Sequence, residues 1–224
     1  MSEILNTFLL DDPETPIPMD RDQFYSEQIA SYQKTGKPTR ACEIVDVFIF
    51  NSDKQLLVQK RSHDKKHNPG LLDKSIGGHV RYGDTPDYTV MVETVQELQT
   101  PSIVLKNKSD FKKTFELLTD YLTTVAVIRH GSSDIMLLEK KINGSPVIIA
   151  NKIHVYFGIY DGRTKTVDKE AQGLLFYTIA DLDKEMKSIP SLFTDDIHVL
   201  LHKMRGDIEE FLDFLGKMSR PLDG

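Results

Sequence analysis

Hydrophobic and polar positions recur along this chain with two periods, about two residues in some runs and about 3.6 in others, and the switches between them mark its elements. Residues 1–20 are acidic and carry Pro13, Pro16 and Pro18, which predicts an extended arm with a short strand at Ile4–Leu10. Asp20 is placed to cap a helix over 21–35, anchored by Phe24, Ile29 and Tyr32 and stopped by Gly36 and Pro38. The run EIVDVFIFN (43–51), a Ser52-Asp53-Lys54 turn and QLLVQKR (55–61) predict a strand–turn–strand unit. A polar loop (62–70) then leads into a short strand, LLDKSI (71–76), that delivers the chain to Gly77 and Gly78.

Thr85 and Pro86 open a helix, since threonine caps well and proline at the first helical position gives up an N–H that has no partner there. Pro101 breaks that pattern, and SIVL (102–105) reads as a strand. Residues 109–122 fit a helix, with Phe111, Phe115, Leu118 and Leu122 spaced four, three and four apart. Three strand-like runs follow, 123–129, 134–140 and 147–160, the last broken near Asn151. A loop at 161–172 leads to a strand at 174–178 and a short helix at 181–187 that starts from Asp181. Thr194 caps a long amphipathic helix to Gly216, interrupted at Gly206, which either packs on the sheet or carries a homodimer contact. Mixed strands with helices between and after them predict an α+β fold with one central sheet. The expected divisions are an arm and helix (1–40), a central domain (41–200) and a C-terminal helix (194–224).

Composition narrows the partners. The net charge of −6, from 28 basic and 34 acidic residues, does not suggest bulk nucleic-acid binding. Cys42 is the only cysteine, so an internal disulfide is excluded and a reducing compartment is expected. At a strand start it reads as a small buried apolar residue. No apolar run approaches the ~20 residues of a membrane helix, and the first residues lack the basic start of a signal peptide. A cytoplasmic protein with no membrane partner is the expectation.

Glu93 and Glu97 stand one helical turn apart, so their carboxylates share a face, with Gln96 beside them. Like charges at that spacing repel by about 0.2–0.5 kcal/mol in an isolated helix, which a divalent cation or plain solvent would relieve. On these residues alone both readings stay open, and acidic pairs on helices are most often solvated. Between Lys60 and Arg81, six basic residues (Lys60, Arg61, Lys65, Lys66, Lys74, Arg81) stand against two acids (Asp64, Asp73), a local balance of +4. Such a rim attracts a diphosphate; a solvated lysine-rich loop is the plainer reading for Lys65 and Lys66. A strand's period of two lets at most one of Lys60 and Arg61 face the site.

With QKRS (59–62), PGLLDKSIGGHV (69–80) and FTDDI (193–197) in place, the chain resembles the Nudix family, in the branch related to isopentenyl diphosphate isomerase. The family's box reads Gly, five residues, Glu, seven residues, then Arg-Glu-apolar-x-Glu-Glu-x-Gly-apolar. Here Gly78, Glu93 and Glu97 match it, and Asp84 keeps the charge on a shorter side chain. Val92, Gln96 and Gln99 replace the arginine, one glutamate and the glycine.

The resemblance implies an α/β/α sandwich around a central mixed sheet, with residues 106–150 as an insert longer than the family core needs. It also implies hydrolysis of a diphosphate linkage in a nucleoside diphosphate derivative or similar small molecule, with Mg²⁺ or Mn²⁺ as cofactor. Glu93 falls at the position of the base or a metal ligand, Glu97 at a metal ligand and Gln96 at a further ligand position. Arg61, Gly78 and His79 are the candidates for holding phosphate, His79 equally a loop cap. Glu170 is a candidate extra ligand or base, with a solvated loop glutamate as the plainer identity. The lost arginine would have oriented Glu93; Arg61 or Arg81 is the candidate replacement, and a weakened site is expected.

Isomerases of that branch place a cysteine just before the Gly-His pair and glutamates on a later strand. This chain has Gly77 and the acid-free NKIHVYF (151–157), so isomerase is rejected. Two readings remain: a metal-dependent diphosphate hydrolase, or a catalytically inactive ligand-binding or regulatory protein on the same fold.

Overall fold

The prolines of the first twenty residues do not leave an extended arm. In the computed structural model, which describes residues 3–65, 67–142, 144–163 and 171–218, Ile4–Leu9 (β1) and Asp12–Asp20 (β2) pair as an antiparallel hairpin. Pro13, Pro16 and Pro18 fit because β2 pairs only with β1, so its other edge needs no N–H donors. Asp20 accepts from the Gln23 backbone N–H and caps Arg21–Thr35 (α1), which Gly36 ends in the left-handed conformation at φ 70°.

Arg40–Phe50 (β3) is the spine. Its alternate residues face two cores: Cys42, Ile44, Phe48 and Phe50 one way, Val45, Val47 and Ile49 the other. Leu56–Arg61 (β4) follows, and the next strand-like stretch splits into Leu72–Asp73 (β5) on β4 and Ile76–His79 (β6) on β3. The two glycines therefore lie inside a strand, not after one. Pro86–Leu98 (α2) is capped by the Thr85 hydroxyl, then come Ser102–Leu105 (β7) and Lys108–Leu118 (α3), with a single 3-10 turn after it.

The stretch expected as three strands is a single long hairpin, Ala126–Ile142 (β8) and Ser145–Ile159 (β9). Asn151 does not break β9, because it is fully buried and its amide is used: Nδ2 donates to the Ile149 carbonyl and Oδ1 accepts from the Cys42 thiol. Ala171–Tyr177 (β10) pairs with β4 at the sheet edge. Thr178, not Asp181, caps Ile179–Ser188 (α4). The long terminal helix divides at Met204, not Gly206, into Asp195–Lys203 (α5) and Arg205–Met218 (α6).

The sheet runs β10-β4-β3-β9-β8-β7, with β3/β9 and β7/β8 parallel and the rest antiparallel, so it is mixed. Helix α2 covers the smaller core, where Val90 and Leu98 meet Val45, Val47 and Ile49. The larger core collects Phe24, Phe111, Leu182, Leu200 and Phe211 from the other helices. Phe211 of α6 lies against Phe50, Phe111 and Phe157, so this helix packs on the sheet. The fold is α+β. Among the described residues no helix is long and apolar enough to cross a membrane.

Candidate active site

Gly77 and Gly78 on β6 let neighbouring side chains come close to the sheet. A Cβ at Gly78 would overlap the Glu93 carboxylate, so a glycine there lets α2 bring its acids against the strand. On the other side, a Cβ at Gly77 would come 2.6 Å from Cε of Lys74. Around these glycines opens a cavity of about 300 Å³. Glu93, Gln96 and Glu97 line it together with Arg61, Gly78 and His79. Glu97 is buried and accepts from Gln59 Nε2 at 3.4 Å, whereas Gln96 is exposed at the mouth. Asp84 and Lys60 are not among the lining residues, and Glu170 lies outside the described residues.

The basic rim expected between Lys60 and Arg81 is largely neutralised from within. Lys74 is buried, with Nζ 2.8 Å from Asp46 Oδ1 and 2.9 Å from Asp196 Oδ2. Burial alone would lower its pKa, but Asp196, Asp46 and Asp73 outweigh that and hold it well above the usual lysine value. Arg61 pairs with Asp73 at 3.0 Å and also donates to the His67 carbonyl. Arg81 is exposed and pairs with Glu3 at 3.1 Å. The two candidate replacements for the missing arginine are thus engaged by Asp73 and Glu3.

His79 is held by Tyr25, with its Nε2 3.0 Å from the Tyr25 hydroxyl. Burial first, then the positive charges of Arg21 and Lys140, keep this imidazole well below its ordinary pKa, so it lines the cavity as a neutral ring. Any anion it meets is met through an N–H dipole, not an imidazolium.

Several lining residues carry no expectation from the sequence, Asp46, Lys140, Asp196 and Tyr25, and Lys74 and Asp73 entered only as members of the basic rim. Two had a legible signal. Asp46 is the one charge inside the apolar run IVDVFIF, and Lys140 sits on the buried stripe Met136, Leu138, Lys140, Ile142. A charge at such a position requires a partner or a ligand.

The Nudix domain profile matches residues 42–196. This chain belongs to the Nudix family. It is 26% identical over 148 residues to isopentenyl-diphosphate Delta-isomerase of Serratia proteamaculans, a match spanning 66% of this chain and 68% of that one. It is 26% identical over 113 residues to an uncharacterised Nudix hydrolase of Nostoc sp., spanning 45% of this chain and 61% of that one. A crystal structure of a Deinococcus radiodurans protein superposes with a TM-score of 0.59 at 18% identity, covering 90% of this chain and 98% of the other. The fold is thus the Nudix α/β/α arrangement. It also explains the glycine of the box: Gln99, at that position, caps α2 in the left-handed conformation at φ 53°, which glycine adopts without strain.

Proposed function

We propose that this Nudix protein hydrolyses a diphosphate linkage in a small molecule, with Glu93 and Glu97 as its central acids and a divalent cation as cofactor. The observation that carries the reading is the convergence of Glu93, Gln96 and Glu97 on one cavity with Arg61, Gly78 and His79. Two carboxylates and an amide oxygen are hard donors, and Mg²⁺ binds through one or two carboxylates plus substrate phosphates. Among the described residues no three or more His, Cys, Asp or Glu side chains cluster as a metal cage. The donor set therefore fits one ion completed by substrate, not a cluster of ions. Bound there, Mg²⁺ or Mn²⁺ would neutralise phosphate oxygens and make a water more acidic. Glu93, held against Gly78, is the proton acceptor for the attacking water. Glu97, kept in place by Gln59, would hold the ion, with Gln96 adding an oxygen but no charge. Arg61, fixed by Asp73, orients the phosphate groups.

An isomerase reading would place a thiol at residue 77. A side chain there would have to displace Lys74, which two carboxylates hold, and β9 offers no glutamate for the second proton transfer. The inactive ligand-binding reading draws on Val92 and Gln96. Turnover assays on nucleoside diphosphate derivatives with Mg²⁺ or Mn²⁺, with Glu97→Gln as control, decide between them. Hydrolysis by the wild type that the control lacks supports the enzyme; equal rates in both discredit it.

A further inference from the structure

Outside the cavity, three neighbouring strands bring a carboxylate, an imidazole and a hydroxyl into one line. His154 on β9 stands opposite Ser133 on β8, and its partner on β3 is Val45, two residues from Glu43 and on the same face. A bulge at Gly131 shifts the register of β8, so His130, opposite Tyr156, reaches Ser133 although three residues separate them. A Cβ at Gly131 would come 2.6 Å from the Phe157 ring, so glycine is what lets the bulge form there.

Glu43 is buried, with Oε2 held by Asn6 Nδ2 at 2.7 Å and Oε1 2.8 Å from His154 Nε2. His154 Nδ1 is 2.7 Å from Ser133 Oγ, and His130 Nε2 is 2.9 Å from the same oxygen. Ser133 is exposed, and none of these four residues lines the cavity. A neutral His154 that gives its Nε2 hydrogen to Glu43 keeps a lone pair on Nδ1, which takes the Ser133 hydrogen. The contact between Ser133 and His130 then uses a hydrogen from His130. Burial first, then the neighbouring His154, keep that ring below its ordinary pKa, so it meets Oγ as a neutral donor. The other charges around the rings are Lys152 beside Glu43, with Arg129 and Asp87 beside His130; Tyr156 donates to Asp87 at 2.7 Å. A hydroxyl within reach of a base that a third group orients is the arrangement that activates a serine nucleophile. Satisfying the buried Glu43 takes only Asn6 and His154; it does not call for an exposed hydroxyl set between two imidazoles.

We propose that Ser133 and His154, positioned by Glu43, form a second reaction centre that hydrolyses small activated esters by acyl transfer. Ser133 Oγ bonds to the ester carbonyl carbon while its proton passes to His154 Nδ1. The hydrogen that His130 gave Oγ passes to the carbonyl oxygen, where negative charge gathers. The bond from that carbon to the leaving oxygen then breaks, and the departing alcohol takes the proton from His154. Water attacks the acyl-serine by the same route, giving the carboxylic acid and restoring the hydroxyl. The open face around Ser133 suits a small ester with a good leaving group. This centre shares no residue with the diphosphate reading and stands or falls apart from it.

Two probes test it in EDTA, which keeps divalent cations out of the reaction: diisopropyl fluorophosphate and p-nitrophenyl acetate. The first should add one diisopropylphosphoryl group, mapped to Ser133 by peptide mass, as an Oγ–P bond forms and fluoride leaves. The second should be hydrolysed at a rate that rises with pH to a plateau, because only the unprotonated Nδ1 accepts. Ser133→Ala, a change at an exposed position, should abolish the label and lower ester hydrolysis about tenfold or more. His154→Gln should slow labelling of Ser133 by about 10²-fold or more. Glu43→Gln should lower the plateau and move the rise to lower pH, since no carboxylate then holds a proton on the ring; a loss of folded protein would lower the plateau alone. Thermal unfolding verifies each variant, and if His154→Gln does not fold, Ser133→Ala and the wild-type pH profile decide. No label, a label elsewhere, ester hydrolysis unchanged in Ser133→Ala, or undiminished labelling in folded His154→Gln overturns the proposal. A pH profile that does not move in folded Glu43→Gln overturns the part given to Glu43.

Discussion

A Cβ on residue 78 would occupy the space of the Glu93 carboxylate, so strand β6 and helix α2 meet at a distance that only glycine permits. Gly78→Ala must therefore move Glu93, by rotating its side chain or by lifting the helix. Displacements of this size cost about 10²-fold in rate when the displaced group acts on the reacting atoms. The overpacking itself should cost about 1–3 kcal/mol. Steady-state kinetics and thermal unfolding on the same sample measure both; a stable variant with unchanged turnover would remove Glu93 from the chemistry.

Glu97→Gln should lower kcat/KM by about 10²-fold or more, with EDTA abolishing wild-type turnover and Mg²⁺ or Mn²⁺ restoring it. Gln96→Glu adds a negative charge beside Glu93 and Glu97 and should tighten the cation and raise turnover. Val92→Arg restores the family's arginine next to Glu93, in a chain whose Arg61 and Arg81 pair with Asp73 and Glu3. If neither substitution changes the rate, the eroded box is not what limits it.

The acidic turn of α2 and its glycines were legible in the sequence because they are local: a Thr-Pro start, an i, i+4 pair and a glycine pair within twenty-one residues. So was the period-two spine of β3. What was not legible is the floor of the cavity. Lys74 looked like one more basic residue on a phosphate rim, and its cage comes from Asp46 on β3 and Asp196 on α5, 122 residues away along the chain in the second case. Periodicity locates a face, but not which distant charge meets it. The run 147–160 is expected to break near Asn151, a poor strand former, yet its burial beside Cys42 and Lys140 turns that amide into a bridge between strands.

Gln99 pays a backbone cost that the family's glycine avoids. It sits at φ 53° as the cap of α2, where its N–H bonds the Thr94 and Val95 carbonyls. Gln99→Gly should relieve about 1 kcal/mol of left-handed strain, less what the freer unfolded chain takes back. Urea unfolding measures the difference. A loss of stability would show that the glutamine side chain makes a contact worth more than the strain.

Lys74→Met should be far more costly than an ordinary surface change. It leaves Asp46 and Asp196 buried without their ammonium, a loss of about 3–5 kcal/mol when one partner of a buried pair is removed. Burial already pushes the Asp46 carboxyl above the usual aspartate value, against the pull of Lys74. Without Lys74 it should take up a proton more readily still. The deficit measured by urea unfolding should therefore shrink as pH falls below neutrality; a deficit independent of pH would mean that packing, not charge, is what Lys74 supplies.

A second buried acid, away from the cavity, titrates in the opposite sense. Glu43 Oε1 lies 2.8 Å from His154 Nε2, and Asn6 Nδ2 donates to Glu43 Oε2 at 2.7 Å. Burial works to raise this carboxyl, but the hydrogen bonds from His154 and Asn6, with the charges of His154 and Lys152, outweigh it and leave its pKa below the usual glutamate value. With Glu43 ionised, His154 presents the hydrogen on Nε2 to it, while its Nδ1 shares a hydrogen bond with the Ser133 hydroxyl 2.7 Å away. A folded pKa below the unfolded one means that the unfolded chain binds the extra proton in the interval between them. The stabilisation is complete above the unfolded glutamate value of about 4.3 and is lost as pH falls through the folded one. Glu43→Gln should cost about 1.5–3 kcal/mol at neutral pH, the range of a charge-assisted hydrogen bond, and progressively less as pH falls through the folded value. Wild type and variant unfolding curves that stay parallel down to the acid limit would show that Glu43 is protonated, or unimportant, throughout.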